Sequence, residues 1–209
     1  MSTVPAEDLT GKARLRRAAL HLFARDGFDA VSIRAVAAEA EVSYALVRHH
    51  FGTKEGLREA VEEHVLRSLG EAMDDLDRDR PPGDLVTALG TVSARLFGAD
   101  PDIRGYLRRV LTDGGEAGAT VLARLLHGTR QELERLREAG LLRTDADPEW
   151  APYQVLFLIL GPLLLEPAIQ PTLDADAFDH PTLTRRSTAN QQLLLNGLFS
   201  TSPLKADNR

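Results

Sequence analysis

Between Ser32 and His50 the sequence sets two short helical patterns one after the other, and this pair constrains the fold more than any other stretch. Ser32 is a good N-cap, since its hydroxyl can accept from a first-turn backbone N–H, for a helix reaching Ala40 and buried through Ile33, Val36 and Ala37. After a turn at Glu41 and Val42, Ser43 is placed to cap a second helix ending near His50. Two short helices separated by a few residues form a helix-turn-helix, in which the first braces and the second is presented outward. The flanks agree. From Lys12 to Arg25, Leu15, Ala18, Ala19, Leu22 and Phe23 repeat at helical spacing until Gly27 stops the run. From Lys54 to about Leu76, Leu57, Val61, Val65 and Leu69 share one face.

Downstream, helical patterns are expected at about 84–98, 101–112, 116–139, 148–169 and 185–200, separated by "GADP", "TDGGE", "AGLLRTDADP" and "QPTLDADAFDHPTLTR". No stretch shows the alternation of several strands, and no internal repeat is visible, so the fold reads as all-α with about nine helices. The expected organisation is a three-helix N-terminal bundle at 1–53 with a flexible arm at 1–11. A helical domain follows at 54–200, then a tail at 201–209. The most apolar run, "VLFLILGPLLL", is broken by Gly161 and Pro162 and flanked by Gln154 and Glu166, too short to span a bilayer, so no membrane partner is expected. The N-terminus lacks the apolar core of a signal peptide and the chain has no cysteine, which suits a reducing cytoplasm.

The net charge of −6 argues against a generally basic nucleic-acid binder, but the charge is unevenly spread. Residues 1–55 hold eight Lys and Arg against seven Asp and Glu, leaving a marked acidic excess to the remainder. On the second helix of the pair, Val47 and Phe51 lie four apart and pack back with Val42, while Tyr44 and Arg48 share the opposite face beside Ala45 and His49. An aromatic hydroxyl and a planar cation on one outward face suit base edges and phosphates. A solvated Tyr–Arg pair on any surface helix is the plainer reading.

"LFARDGFDAVSIRAVAAEAEVS" followed by "HHFGTKEGL" resembles the DNA-binding region of the TetR family of transcriptional regulators, over roughly residues 12–61. The resemblance implies a regulator, most simply a repressor, that binds a near-palindromic double-stranded DNA operator as a homodimer and is released by a small-molecule effector. By matching position, Ser32 and Arg34 would touch the DNA backbone, Ser43, Tyr44 and Ala45 would approach base edges, Arg48 and His49 would meet phosphates, and Lys54 would anchor a phosphate at the next helix start. Two positions depart from the family pattern: Glu41 stands where glycine is frequent, and Arg48 where tyrosine is. The alternative is a helical dimeric ligand-binding or adaptor protein without sequence-specific DNA binding.

Catalysis has no candidate constellation. Adjacent helical residues such as His49 and His50 point about 100° apart and do not chelate one metal as an i, i+4 pair does. P-loop, dinucleotide, G-x-S-x-G and H-E-x-x-H motifs are missing, so neither enzyme activity nor a metal or cofactor is expected.

In the acidic remainder, Phe97, Tyr106, Val110, Leu122, Leu126, Trp150, Tyr153 and Phe157 are the candidate ligand linings that the resemblance implies, with plain core as the competing role. Leu156, Leu160, Gly161, Leu163 and Leu164, with Leu194, Leu195, Leu198 and Phe199, fit either core helices or, by the resemblance, a four-helix dimer interface.

Overall fold

The computed structural model describes the backbone of residues 6–77, 97, 100–140 and 142–196, and side chains over 10–71, 97, 100–140 and 142–194. Among the described residues the chain is all helical: α1 (Ala6–Asp26), α2 (Ile33–Glu39), α3 (Tyr44–Phe51), α4 (Lys54–Asp77), α5 (Pro101–Asp113), α6 (Gly115–Glu138), α7 (Ala151–Leu164), α8 (Glu166–Ile169) and α9 (His180–Asn196). One 3-10 turn (Gln170–Thr172) follows α8. The helix expected at 84–98 lies, apart from Phe97, outside the described residues, as does the 201–209 tail.

The centre of the fold is α1. It packs against α2, α3 and α4 on one side and along α5 on the other. This double contact explains why Leu20 is buried as well as the expected Leu15, Ala18, Ala19, Leu22 and Phe23. A helix enclosed by neighbours buries more than one stripe. The helix also starts at Ala6, so residues 6–11 are helical rather than a flexible arm. Gly11 faces α3: a Cβ there would stand 2.8 Å from a Leu46 methyl, the end of a side chain that would have to shift to admit it. On α4 the expected set, Leu57, Val61, Val65 and Leu69, closes the bundle from below.

Ser32 caps α2 as its sequence position predicts, its Oγ accepting from Ala35 N–H at 3.1 Å. Ser43 does not cap α3 with its side chain. The Leu46 N–H goes instead to the Ser43 backbone carbonyl at 3.1 Å, which leaves the Ser43 hydroxyl facing outward. An unexpected cap is Thr53, whose Oγ1 accepts from Gly56 N–H at 3.0 Å and opens α4.

The turn between α2 and α3 carries a strained residue. Glu41 has φ +52, the left-handed region that costs a side-chain-bearing residue roughly 1–2 kcal/mol. Its carboxylate meets Arg14 of α1 at 3.2 Å, a pair open to solvent and therefore of small worth. Glu41→Gly is therefore expected to raise stability by about 0.5 kcal/mol, the relief of strain being partly offset by the greater freedom of glycine when unfolded. Urea denaturation measures this, and a midpoint at or below that of the wild type would contradict the strain.

Beyond the bundle, α5, α6 and α7 pack on one another. Gly118 allows the tight α5–α6 approach, since a Cβ there would overlap the Val110 carbonyl. The apolar run expected as one helix over 148–169 is broken at Leu165, and the segments on either side meet at 65°. Pro162 sits inside α7, which runs on to Leu164, whereas Pro167 in the first turn of α8 has no N–H to donate back to Leu163 as a continuous helix would need, and Glu166 is held beyond the break by Arg104 at 3.3 Å and by Arg108. Among the described residues no single helix is long and apolar enough to cross a membrane.

Candidate nucleic-acid interface

The outward face of α3 is built by what lies behind it. Val47 is fully buried, and Val42, Leu46 and Phe51 pack against the core from the same side. With that side committed, the helix turns Tyr44, Ala45, Arg48 and His49 to solvent, Tyr44 at 45% exposure. Ser43 is exposed beside them at the helix start. His49 and His50 stack edge-on, ring centroids 5.1 Å apart, with His50 half-buried toward Phe51. Among the described residues no group of His, Asp and Glu is arranged to hold a metal ion.

Ser32 and Arg34 at the start of α2 are also exposed. The Ser32 oxygen is occupied by its cap, but the hydroxyl proton remains available to an acceptor. Lys54 is less open than its position in the sequence suggested. Its ammonium donates to the Asp29 carbonyl at 3.2 Å and lies 4.4 Å from the centre of the Phe28 ring. An ammonium has three donors, so two remain on a side chain already held in place at the N-terminal end of α4.

The structure divides the apolar residues assigned from the sequence between core and surface. Leu156, Leu160 and Leu163, proposed for a dimer interface, are buried inside the chain's own core, Leu163 completely. Leu164 and Gly161 are half-buried, and no atom comes within 4 Å of a Cβ built on Gly161. Conversely, Trp150 and Phe157, proposed to line a ligand pocket, stand out from α7 at 55% and 58% exposure. With the half-buried Tyr153 they form a ladder, ring centroids 5.6 Å and 6.3 Å apart along one face. The physical reason is that α7 is apolar on every side. Two stripes of equal spacing compete for the interior, and packing on α5 and α6 selects the leucines.

The remaining candidates divide similarly. Phe97, Tyr106 and Leu126 are buried, and Val110 and Leu122 half-buried. Phe97 meets Phe178 edge-on as core, whereas Tyr106 and Val110 line a cleft between the bundle and α5. On α9, Leu194 is exposed. Leu195 has only its backbone described, and Leu198 and Phe199 lie outside the described residues.

Sequence reasoning missed the contact that joins the bundle to the rest of the chain. Arg109 of α5 donates to the carbonyls of Arg25 at 2.9 Å and Ala24 at 3.4 Å, the last turn of α1. A cation at a helix C-terminus satisfies carbonyls left without partners and complements the helix dipole. Nearby, His21 meets Asp102 at 2.9 Å and Arg17 meets Asp100 at 3.5 Å, so α1 and α5 are tied along their length. Only the charge-bearing pattern of α5, seen beside α1, would have pointed to this.

Comparison with known proteins agrees with this geometry. Residues 15–61 match the family described as bacterial regulatory proteins, tetR family, and residues 100–204 match the tetracyclin repressor-like C-terminal domain. The HTH-type transcriptional regulatory protein RaaS of Mycobacterium tuberculosis is 32% identical over 141 residues, covering 68% of this chain and 64% of RaaS. The HTH-type transcriptional repressor Rv3405c of the same organism is 39% identical over 94 residues, covering 41% of this chain and 48% of that protein. The chain thus spans less than two thirds of the length of these curated relatives. The fatty acid degradation regulator FadR of Bacillus halodurans shares the fold at a TM-score of 0.73 and 17% identity, over 95% of this chain and all of that one.

Proposed function

Because the chain belongs to the tetR family of bacterial regulatory proteins, we propose that it is a cytoplasmic transcriptional repressor, binding a near-palindromic operator as a homodimer and released by a small-molecule ligand. The observation that carries this reading is the exposed Tyr44–Arg48 face of α3, braced from behind by buried Val47. Residues 1–53 form the DNA-binding unit, and residues 54–200 the regulatory and dimerising unit. In the major groove, Ser43, Tyr44 and Ala45 approach base edges, while Arg48, His49, Arg34, Ser32 and Lys54 address phosphates.

The dimer reading moves to a different set of residues. The ladder of exposed Trp150 and Phe157 with half-buried Tyr153 between them is an apolar strip of the kind that a partner covers. A two-fold axis there lets the same strip meet itself and sets two recognition helices about one DNA turn, ~34 Å, apart.

The test is a binding assay on operator and random duplexes at several salt concentrations. Tyr44→Ala is expected to reduce operator preference while random-duplex affinity holds. Lys54→Ala is expected to weaken both duplexes alike and to flatten the salt dependence by about one unit of slope. Equal losses in both variants on both duplexes contradict these roles. Absence of operator preference in the wild type favours a helical dimeric adaptor without sequence-specific binding.

A further inference from the structure

The Phe28 ring carries two cations. The Lys54 ammonium lies 4.4 Å and the Arg58 guanidinium 4.9 Å from its centre. An aromatic ring attracts cations through the negative charge of its π face. The two differ in the rest of their surroundings. Arg58 donates to Glu62 at 2.7 Å, so a carboxylate already answers its charge. Lys54 is held by the ring and by the Asp29 carbonyl at 3.2 Å, both uncharged. Neither holder neutralises it.

The ring is itself fixed. It is half-buried, meets Phe23 edge-on with centroids 5.4 Å apart, and follows Gly27, whose positive φ ends α1. Arg58, tethered to Glu62, packs against it from one turn further along α4. Phe28 and Asp29 are neighbours in the loop joining α1 to α2, so this short segment decides where the first side chain of α4 goes. A free lysine loses much rotamer freedom when it is pinned to a phosphate. Holding it over a ring moves most of that loss to folding, which is how preorganisation raises affinity. A carboxylate in the same place would also hold the lysine, but it would cancel the charge that releases counterions from DNA.

We propose that Phe28 is a positioning residue for DNA binding, acting through Lys54 by holding its ammonium ready for a phosphate. The role on DNA rests on the repressor reading above; the contact between ring and ammonium does not.

NMR of the lysine side chains in the full-length protein reads the contact without DNA. The chain has three lysines, Lys12, Lys54 and Lys205, so Lys54→Ala assigns the signal. The Lys54 ε-protons are expected upfield of the ordinary lysine position, because they lie over the ring, and are expected to stay there when duplex is added. A wild-type signal that is unshifted, or that leaves the ring on adding duplex, overturns the proposal even if a Phe28 variant fails to fold. Duplex affinity is then measured in a double-variant cycle. Phe28→Leu is expected to weaken operator and random duplex alike by about three- to fivefold, and Phe28→Tyr to keep wild-type affinity. In the Lys54→Ala background, Phe28→Leu is expected to cost nothing further. An equal loss in that background, or a loss in Phe28→Tyr as large as in Phe28→Leu, makes the residue plain core and overturns the positioning role. A wild type that binds both duplexes equally counts against the repressor reading alone, since the cycle is then read on random duplex. One that binds neither overturns both.

Discussion

Phe157→Glu is expected to leave the chain folded but monomeric, and to lower operator affinity by about 100-fold or more. The side chain is exposed in the monomer, so a carboxylate there meets water and costs the fold little. In a two-fold dimer built on the α7 ladder the same position comes close to its symmetry mate, and the substitution places two like charges within a desolvated apolar contact. Losing the dimer separates the two recognition helices, and the gain from binding two half-sites on one molecule, typically 10²–10⁴-fold, is lost with it. Light scattering and circular dichroism measure mass and helicity together. A variant that remains dimeric sinks the assignment of this face.

Leu160→Glu, one turn along the same helix, is expected to do the opposite and abolish the folded state. Leu160 is 5% exposed and belongs to the continuous core with Leu156 and Leu163. Removing a buried leucine costs about 2–5 kcal/mol, and the unpaired carboxylate adds a desolvation cost of several more. That total is comparable to the whole stability of an ordinary domain, about 5–15 kcal/mol. Loss of a cooperative thermal transition is the expected result. A well-folded monomer instead would return Leu160 to the interface. The two substitutions put the same charge on adjoining stripes of α7, about 60° apart, one exposed and one buried, so together they report where the buried stripe ends.

The bundle was legible because its information is local. Leu15, Ala18, Ala19, Leu22 and Phe23 repeat at the period of a helix, Ser32 offers a hydroxyl where a first turn needs one, and Gly27 adopts a positive φ where α1 stops. Val47 and Phe51 against Tyr44 and Arg48 is a two-sided helix with only one apolar side, so its outward face could be named in advance. Ser43 shows the limit even here: the residue is at the N-cap position, but whether its hydroxyl or its carbonyl serves Leu46 depends on a local geometry that residue type does not specify.

By itself, then, the sequence determined an all-helical chain, the position of the helix-turn-helix, the polar face it presents, and the family. Each follows from periodicity, caps or motif order within a few turns of one another. Tertiary structure alone decided which stripe of α7 is core and which is surface, because Leu156, Leu160 and Leu163 and the ring set Trp150, Tyr153 and Phe157 are both apolar and both spaced for a helix face. It also decided the Arg109 clamp and the cleft beside it, which join residues more than eighty positions apart. Hydrophobic spacing says that a side will be buried; the neighbour that buries it is chosen only when the helices pack.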